Sequence, residues 1–433
     1  MTSRFLKMIL LMLVLCATLA WGIERFPPPD FEGGYTFPTT TTPASDAVWY
    51  EWIDVAVLAA VLSVGAFLVL KKRSRAWVFA LMLFSVAYFG FYRKGCICPI
   101  GATQNVALTM FDANYAIPLT VLLFFVLPLL FTLFFGRIFC GSVCPLGAIQ
   151  DLVLMKPVTV PRWLESGLRM IAYVYLSLAV LFAATGSAFL ICRYDPFVAI
   201  FRLTGNMPVF ILGGCFLVIG LFVGRPYCRF VCPYGVILRQ FSRLSKWRVS
   251  ITPTECISCR LCEDACPFGA IEGPEPQWPQ RDYAKGRRTV VSLLVVLPVL
   301  MLLGAGLGNV AAPGLSKMHP TVQVAQRVLL EAQGHVTDTT DQSDAFRATG
   351  STPESLYADA AQVQSKFIIG SISVGVFLAV VLGLKLVRVS IRRDRAGYEA
   401  EQAGCLACAR CYKSCPNERS QRQSNKELLG APS

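Results

Sequence analysis

Eight apolar runs divide the chain, near residues 8–22, 48–70, 76–92, 116–136, 170–190, 207–224, 289–310 and 367–387, and no other feature limits its fold as severely. Each run is long enough, or nearly so, to cross a hydrocarbon core of about 30 Å. Inside lipid every backbone N–H and C=O needs a partner within the protein, so runs of this length and continuity span as helices. The composition agrees: 55% of residues are hydrophobic, 15% are charged and the mean hydropathy is +0.54, which excludes an ordinary soluble enzyme. The expected fold is an α-helical polytopic membrane protein with seven or eight transmembrane helices. Residues 1–22 read as a signal peptide or an uncleaved anchor, because Lys7 precedes the first run and Thr18-Leu19-Ala20 ends it.

Orientation follows from the basic residues, which cytoplasmic loops retain. The net charge of +13 is carried in short clusters between apolar runs, a pattern of topology rather than of nucleic-acid binding. Alternating the spans puts Lys71–Arg75, Arg239–Arg248, Lys285–Arg288 and Arg388–Arg395 on one side, which is expected to be the cytoplasm. The Pro/Thr-rich segment 23–47 and the polar loop 311–366 then lie outside, the loop as a small helical lid or docking segment. Residues 48–245 read as the membrane core.

Cysteine spacing carries the chemistry. Residues 256–267 read CISCRLCEDACP and residues 405–416 read CLACARCYKSCP, each a full C-x2-C-x2-C-x3-C-P run. Four thiolates at this spacing wrap a cubane of iron and sulfide, and in two-cluster ferredoxins the fourth Cys serves the other cluster. Two [4Fe-4S] clusters are expected: one on Cys256, Cys259, Cys262 and Cys415, the other on Cys405, Cys408, Cys411 and Cys266. A zinc site is the bland alternative. Two spans and the outer loop separate the motifs, so segments 246–288 and 389–433 must fold together across a transmembrane hairpin, 289–388. They are expected to form a bacterial-ferredoxin-like α+β domain on the cytoplasmic face.

A weaker signal comes from an internal repeat: CICPIGATQN at 96–105, CGSVCPLGAIQD at 140–151 and CRFVCPYGVILR at 228–239. Cys140, Cys144, Cys228 and Cys232 fall at the inner ends of two spans and form a candidate tetrathiolate for an iron–sulfur centre or another soft metal. Buried reduced thiols or a redox pair are the alternative. On the opposite face Cys96, Cys98 and Cys192 form a second candidate centre, one thiol short of a closed site. An external fourth ligand, a disulfide or a cluster with one open position would each account for them. Cys16 and Cys215 sit inside apolar runs and read as packed thiols.

Other residues add less. The two histidines, His319 and His335, lie outside the apolar runs and away from any C-x-x-C, so no haem is expected. Gly101-Ala102-Thr103 lacks the flanks of a covalent flavin site, and none is expected. Glu51 and Asp54 are acids at the outer end of a span, candidates for proton transfer at a quinone site, although solvated acids are common near an interface. Arg137, Arg225 and Arg229 flank the inner thiols, where they can offset thiolate charge or hold the cytoplasmic boundary.

The paired C-x-x-x-C-P motifs at 140–145 and 228–233, followed by CISCRLCEDACP, resemble the membrane-bound polyferredoxins, the NapH/NosR type of ferredoxin-like quinol dehydrogenase and electron-transfer proteins. The resemblance covers roughly residues 76–275. It implies a bacterial inner-membrane protein that passes electrons between the quinone pool, or a cytoplasmic donor, and a periplasmic enzyme. Cys140, Cys144, Cys228 and Cys232 match the family's paired membrane motifs, and the Cys256–Cys266 and Cys405–Cys415 runs match its cluster ligands. Two departures stand out. The nitrous-oxide type carries a periplasmic flavin domain for which about 25 outer residues leave no room, and the nitrate type keeps its ferredoxin motifs contiguous.

The expected function is a membrane-integral electron-transfer subunit relaying single electrons between the cytoplasmic clusters and the quinone pool or a periplasmic redox partner. It would belong to an oxidoreductase complex with protein partners at both faces, in contact with membrane lipid and with no nucleic acid. A redox-sensing or maturation factor for a periplasmic metalloenzyme is the alternative, and an ion-pumping redox subunit has little support in the runs.

Overall fold

Leu-, Val- and Phe-rich runs without interior charge become helices here, and their lengths decide which can cross a bilayer alone. The computed structural model describes residues 48–95, 98–204, 206–251, 256–274, 283–336, 338–390, 397–417 and 420. The run at 8–22, the segment 23–47, Cys16 and Cys96 lie outside them. Among the described residues five helical stretches are long and apolar enough to span: Trp49–Leu70, Arg75–Tyr92, Trp163–Ala184, Gly286–Ser316 and Pro353–Arg388. They form a polytopic helical membrane protein.

Two expected spans differ from full-length helices. The run at 116–136 is a 17-residue helix, Leu119–Phe135, containing Pro128. The run at 207–224 is a helix of 14 residues, Met207–Gly220, bent by 105° against the preceding Pro196–Arg202. Each of these shorter helices is followed by a cysteine repeat whose Pro starts a new short helix, since Pro is tolerated at the first helical position and stops what precedes it.

In chain order the core helices are α1 (Val48–Leu70), α2 (Arg75–Ser85), α3 (Pro99–Phe111), α4 (Leu119–Phe135), α5 (Pro145–Leu152), α6 (Arg162–Ala184), α7 (Leu190–Tyr194), α8 (Pro196–Arg202), α9 (Met207–Gly220), α10 (Pro226–Phe230) and α11 (Pro233–Ser242). α2 runs on into a π-helical stretch, Val86–Tyr92. A second π-helical turn, Phe139–Val143, carries Cys140. Short α12 (Leu261–Asp264) and strand β1 (Ile271–Glu272) follow.

The hairpin comprises α13 (Tyr283–Ser316) and α16 (Pro353–Ser390), with α14 (Pro320–Ala332) and α15 (Asp341–Ala348) between them. Its helices approach closely at small residues. A Cβ at Gly304 would strike the Gly375 carbonyl, and one at Gly308 would strike that of Ser371. This is the small-xxx-small packing that membrane helices use where lipid removes the hydrophobic drive to associate. The loop 311–366 is helical as expected, with Val322, Ala325 and Val328 of α14 packed on Leu356 and Ala360 of α16. His319 caps α14, its Nδ1 accepting from Thr321 N at 3.1 Å.

After the hairpin the chain returns as strand β2 (Glu399–Ala400) and helix α17 (Arg410–Ser414). β1 and β2 pair antiparallel, Ile271 opposite Ala400 and Glu272 opposite Glu399. Glu401 N extends the pairing by donating to Ala270 O at 2.7 Å. The two motif segments therefore meet, as their cysteine spacing requires.

Candidate iron–sulfur centres

Two cavities lie where the motif segments meet. One is lined by Cys256, Cys259, Cys262 and Cys415, together with Ile251 and Tyr398. The other is lined by Cys266, Cys405, Cys408 and Cys411, among Val249, Phe268, Ile271 and Leu406. Each cavity thus collects three cysteines from one motif and the fourth from the other. The turns that aim these thiols use left-handed backbone at non-glycine residues, Ser258 and Arg260 in the first motif and Ala407 and Ala409 in the second, with φ between 50° and 63°. The same strain at equivalent positions of both motifs points to a functional constraint on loop shape.

The surroundings suit a bound cation-rich cluster rather than free thiolates. Burial raises the Cys262 and Cys266 thiols above their ordinary range. It pushes Cys405 up to about 12, against the opposing hydrogen bond from Ala407 N. Metal supplies the positive charge that such buried sulfurs need to ionise. Among the described residues no three His, Cys, Asp or Glu side chains gather closely enough to grip one metal ion. A zinc site draws all its sulfurs to about 2.3 Å from a single atom, whereas a cubane offers a separate iron to each thiolate and spreads them around a cage.

The four repeat cysteines also converge. Cys140, Cys144 and Cys232 lie in one buried cluster with Cys228 packed against it, and a Cβ at Gly147 would stand 3.0 Å from Cys140 O and 3.6 Å from Cys228 Sγ. Gln150 Nε2 donates to Cys228 Sγ at 3.4 Å, and Gly235 N donates to Cys232 Sγ at 3.3 Å. Arg137, 2% exposed, points Nη2 at Cys140 Sγ at 3.7 Å and donates Nη1 to Ala403 O at 3.2 Å. Fully buried Arg225 donates to the carbonyls of Cys140 and Gly141. Arg229 instead holds Glu165 at 2.7 Å and Pro267 O at 3.3 Å, tying the first motif to α6.

Ser142, between Cys140 and Cys144, packs on the first two spans. Ser85 Oγ donates to Ser142 O at 3.4 Å, and a Cβ at Gly65 would stand 2.8 Å from Ser142 Oγ. At 1.5 Å per residue those partners lie about 8 to 15 Å along α1 and α2 from the Leu70–Arg75 turn. The Cys-Pro corners after α4 and α9 start α5 and α11.

Cys98 is half-buried and Cys192 exposed. A Cβ at Gly101 would touch Cys192 Sγ at 3.3 Å, and Cys98 packs against the buried cluster that includes Cys140, Cys144 and Cys232. Gly141 abuts Leu406 so closely that a Cβ there would strike the Leu406 carbonyl, which seats the four-thiol group against the second motif. Cys215 is a half-buried thiol on α9.

At the far end of α1 and α2, Asp54 is 2% exposed, paired with Arg93 at 2.6 Å and accepting from Tyr88 Oη at 2.9 Å. A cavity beside it is lined by Tyr50, Ile53, Tyr88 and Tyr92, and the π-helical stretch supplies both Tyr88 and Tyr92. Glu51 accepts from Thr120 at 2.6 Å. Asp54 is thus a buried, partnered carboxylate rather than a solvated surface acid.

Comparison with known proteins agrees with this geometry. Residues 117–163 and 206–252, which contain the two C-x-x-x-C-P motifs, match a family described as a 4Fe-4S binding domain, and residues 249–272 match a second 4Fe-4S binding domain family. The putative electron transport protein YccM of Escherichia coli is 30% identical over 118 residues, 25% of this chain and 33% of that protein. Protein NirI of Paracoccus denitrificans is 29% identical over 123 residues, 27% of this chain and 18% of that one. An uncharacterized protein of Methanocaldococcus jannaschii is 31% identical over 115 residues, 27% of this chain and 41% of that one. The matched regions thus cover less than half the length of these relatives. No solved structure matches. Three segments of a chain with five candidate spans among its described residues are thus similar to 4Fe-4S binding domains, and the matches fit a membrane-associated protein resembling the 4Fe-4S ferredoxin type.

Proposed function

We propose that this protein relays single electrons between a cytoplasmic 2[4Fe-4S] ferredoxin-like module and the quinone pool or a periplasmic redox partner, in a bacterial inner membrane. The observation that carries the reading is the pair of cavities, each lined by three cysteines of one motif and the fourth of the other, with Gly141 of the first C-x-x-x-C-P motif packed on Leu406 of the second ferredoxin motif. Cys256, Cys259, Cys262 and Cys415 would hold one cluster, and Cys266, Cys405, Cys408 and Cys411 the other. The four-thiol group would hold a third iron–sulfur centre, and Cys98 and Cys192 would contribute to a fourth. When bound, such clusters supply one-electron redox chemistry at potentials set by charge, hydrogen bonding and burial.

The chain's own residues do the rest. Arg137 and Arg225 offset negative charge beside the four thiols, and the apolar residues Val249, Phe268, Ile271 and Leu406 line the second motif cavity. Basic clusters near the motif segments favour the cytoplasm for that side. The Asp54 cavity supports the quinone arm, because a quinol needs an apolar slot and a group to receive its proton. Iron and acid-labile sulfide per chain, with spectra before and after quinol addition, test the reading. About eight irons match the two motif clusters alone, about twelve or more add centres in the bundle, and clusters that no quinol reduces would exclude the quinol arm.

A further inference from the structure

Four Cys-Pro or Asp-Pro corners occur in the core, and they are built alike. Cys98, Cys144, Asp195 and Cys232 each immediately precede a Pro that starts a helix. The backbone of Asp195 (φ −72°, ψ 113°) matches that of Cys144 (−66°, 118°) and Cys232 (−56°, 116°). The sequences are similar, with one residue fewer before the Pro: Cys192-Arg193-Tyr194-Asp195-Pro196 stands beside Cys228-Arg229-Phe230-Val231-Cys232-Pro233.

The partners repeat as well. Gln104 Oε1 accepts from Ile191 N at 2.9 Å, one residue before Cys192, and Gln150 Oε1 accepts from Tyr227 N at 3.0 Å, one residue before Cys228. Gly101 makes room for Cys192 Sγ, and Gly147 makes room for Cys228 Sγ; a Cβ at either would stand 3.3 Å or 3.6 Å from the sulfur. Cys98, Cys192 and Asp195 therefore occupy the places that Cys144, Cys228 and Cys232 occupy in the neighbouring group.

From this correspondence we infer that Asp195 is an oxygen donor to an iron–sulfur centre shared with Cys98 and Cys192. The inference rests on the proposed role of those thiols as a cluster site. Asp195 is 2% exposed, and its charge bears on both Cys98 and Cys192. Its Oδ1 accepts from Phe197 N at 2.9 Å and Val198 N at 3.3 Å, whereas among the described residues Oδ2 accepts only from Tyr227 Oη at 3.0 Å. A carboxylate oxygen has two lone pairs, so Oδ2 keeps one for a metal. A helix cap alone would need no negative charge, since Asn caps as well as Asp. A buried anion facing two thiols in a place where the repeat puts cysteine fits a ligand. Carboxylate in place of thiolate would distinguish this centre spectroscopically from its all-sulfur neighbours.

The test uses full-length protein purified anaerobically, with iron, sulfide and electron paramagnetic resonance as readouts. Asp195→Asn keeps the cap and removes the anionic donor, and Asp195→Cys restores the motif's thiol. The expected result is loss of about four irons and one signal in Asp195→Asn, with the motif-cluster signals unchanged, and recovery of iron with an altered signal in Asp195→Cys. Full iron and an unchanged spectrum in Asp195→Asn overturn the role of Asp195 while leaving the thiol site intact. If Cys98→Ser and Cys192→Ser also leave iron unchanged, the underlying thiol site fails and the inference falls with it.

Discussion

Asp151, on the helix that follows Cys144, lies 3.2 Å from Arg410 of the second motif segment. The same carboxylate pairs with Arg75 and, at 3.4 Å, with Arg225. Arg75 in turn donates to Cys408 O at 3.1 Å. One fully buried carboxylate thus joins the start of a span, the four-thiol group and a loop of the second motif. Removing one partner of a buried ion pair costs about 3–5 kcal/mol. Asp151→Asn is therefore expected to loosen residues 397–417 from the bundle while leaving the first motif in place. Faster proteolysis of that segment and weaker magnetic coupling between neighbouring centres would show it, and unchanged coupling would refute it.

The pH dependence of this joint follows from the same charges. Burial alone would raise the Asp151 carboxyl, but Arg225, Arg75 and Arg410 outweigh it and hold the group well below its ordinary value of 3.8. A depressed value in the folded state contributes stability above the ordinary value, lost only as pH falls through the folded one. Docking of the second segment is expected to stay constant from pH 8 to pH 5. Release within that range, followed by protease susceptibility, would contradict the assignment.

Cross-membership of the two motifs makes a distinctive forecast for cysteine variants. Cys415→Ser should disturb the cluster built on Cys256, Cys259 and Cys262, and Cys266→Ser the one built on Cys405, Cys408 and Cys411. Each is expected to cost up to four irons per chain. Spectra of the paired variants Cys415→Ser and Cys256→Ser should match each other. A match between Cys415→Ser and Cys405→Ser instead would show that each motif wraps its own cluster.

The hairpin has no room at its crossing. Gly304→Leu would drive a side chain into the Gly375 carbonyl, and overpacking of this kind costs about 1–3 kcal/mol or more. Since α16 delivers the second motif, this variant is expected to lower thermal stability and iron content together. Normal iron with normal stability would show that the hairpin is not needed to bring the motifs together.

Tyr88→Phe removes only the hydroxyl that donates to Asp54, and Asp54→Asn removes the carboxylate charge. Quinol-driven cluster reduction is expected to slow at least tenfold in Asp54→Asn and less in Tyr88→Phe, while dithionite reduces both fully. Equal rates in all three proteins would move the quinol site elsewhere.

The sequence by itself determined that the chain is a helical membrane protein, because lipid leaves a long apolar run little other choice. It also determined that Cys256–Cys266 and Cys405–Cys415 belong together, since cysteine spacing is local and the exchange of the fourth thiol is a rule of the motif. In the fold the two motif segments pair through β1 and β2 and line two cavities between them. Tertiary structure alone decided what packs around the other thiols. Short helices started by Pro99, Pro145 and Pro233 bring Cys98, Cys144 and Cys232 to one buried cluster. Apolar periodicity holds no record of such packing, because it reports the length of a run and not what the following turn meets. The clamp at Asp151 and the place of Asp195 were equally out of view. Each depends on partners dozens to hundreds of residues away, and a carboxylate acquires its meaning from the charges that folding sets beside it.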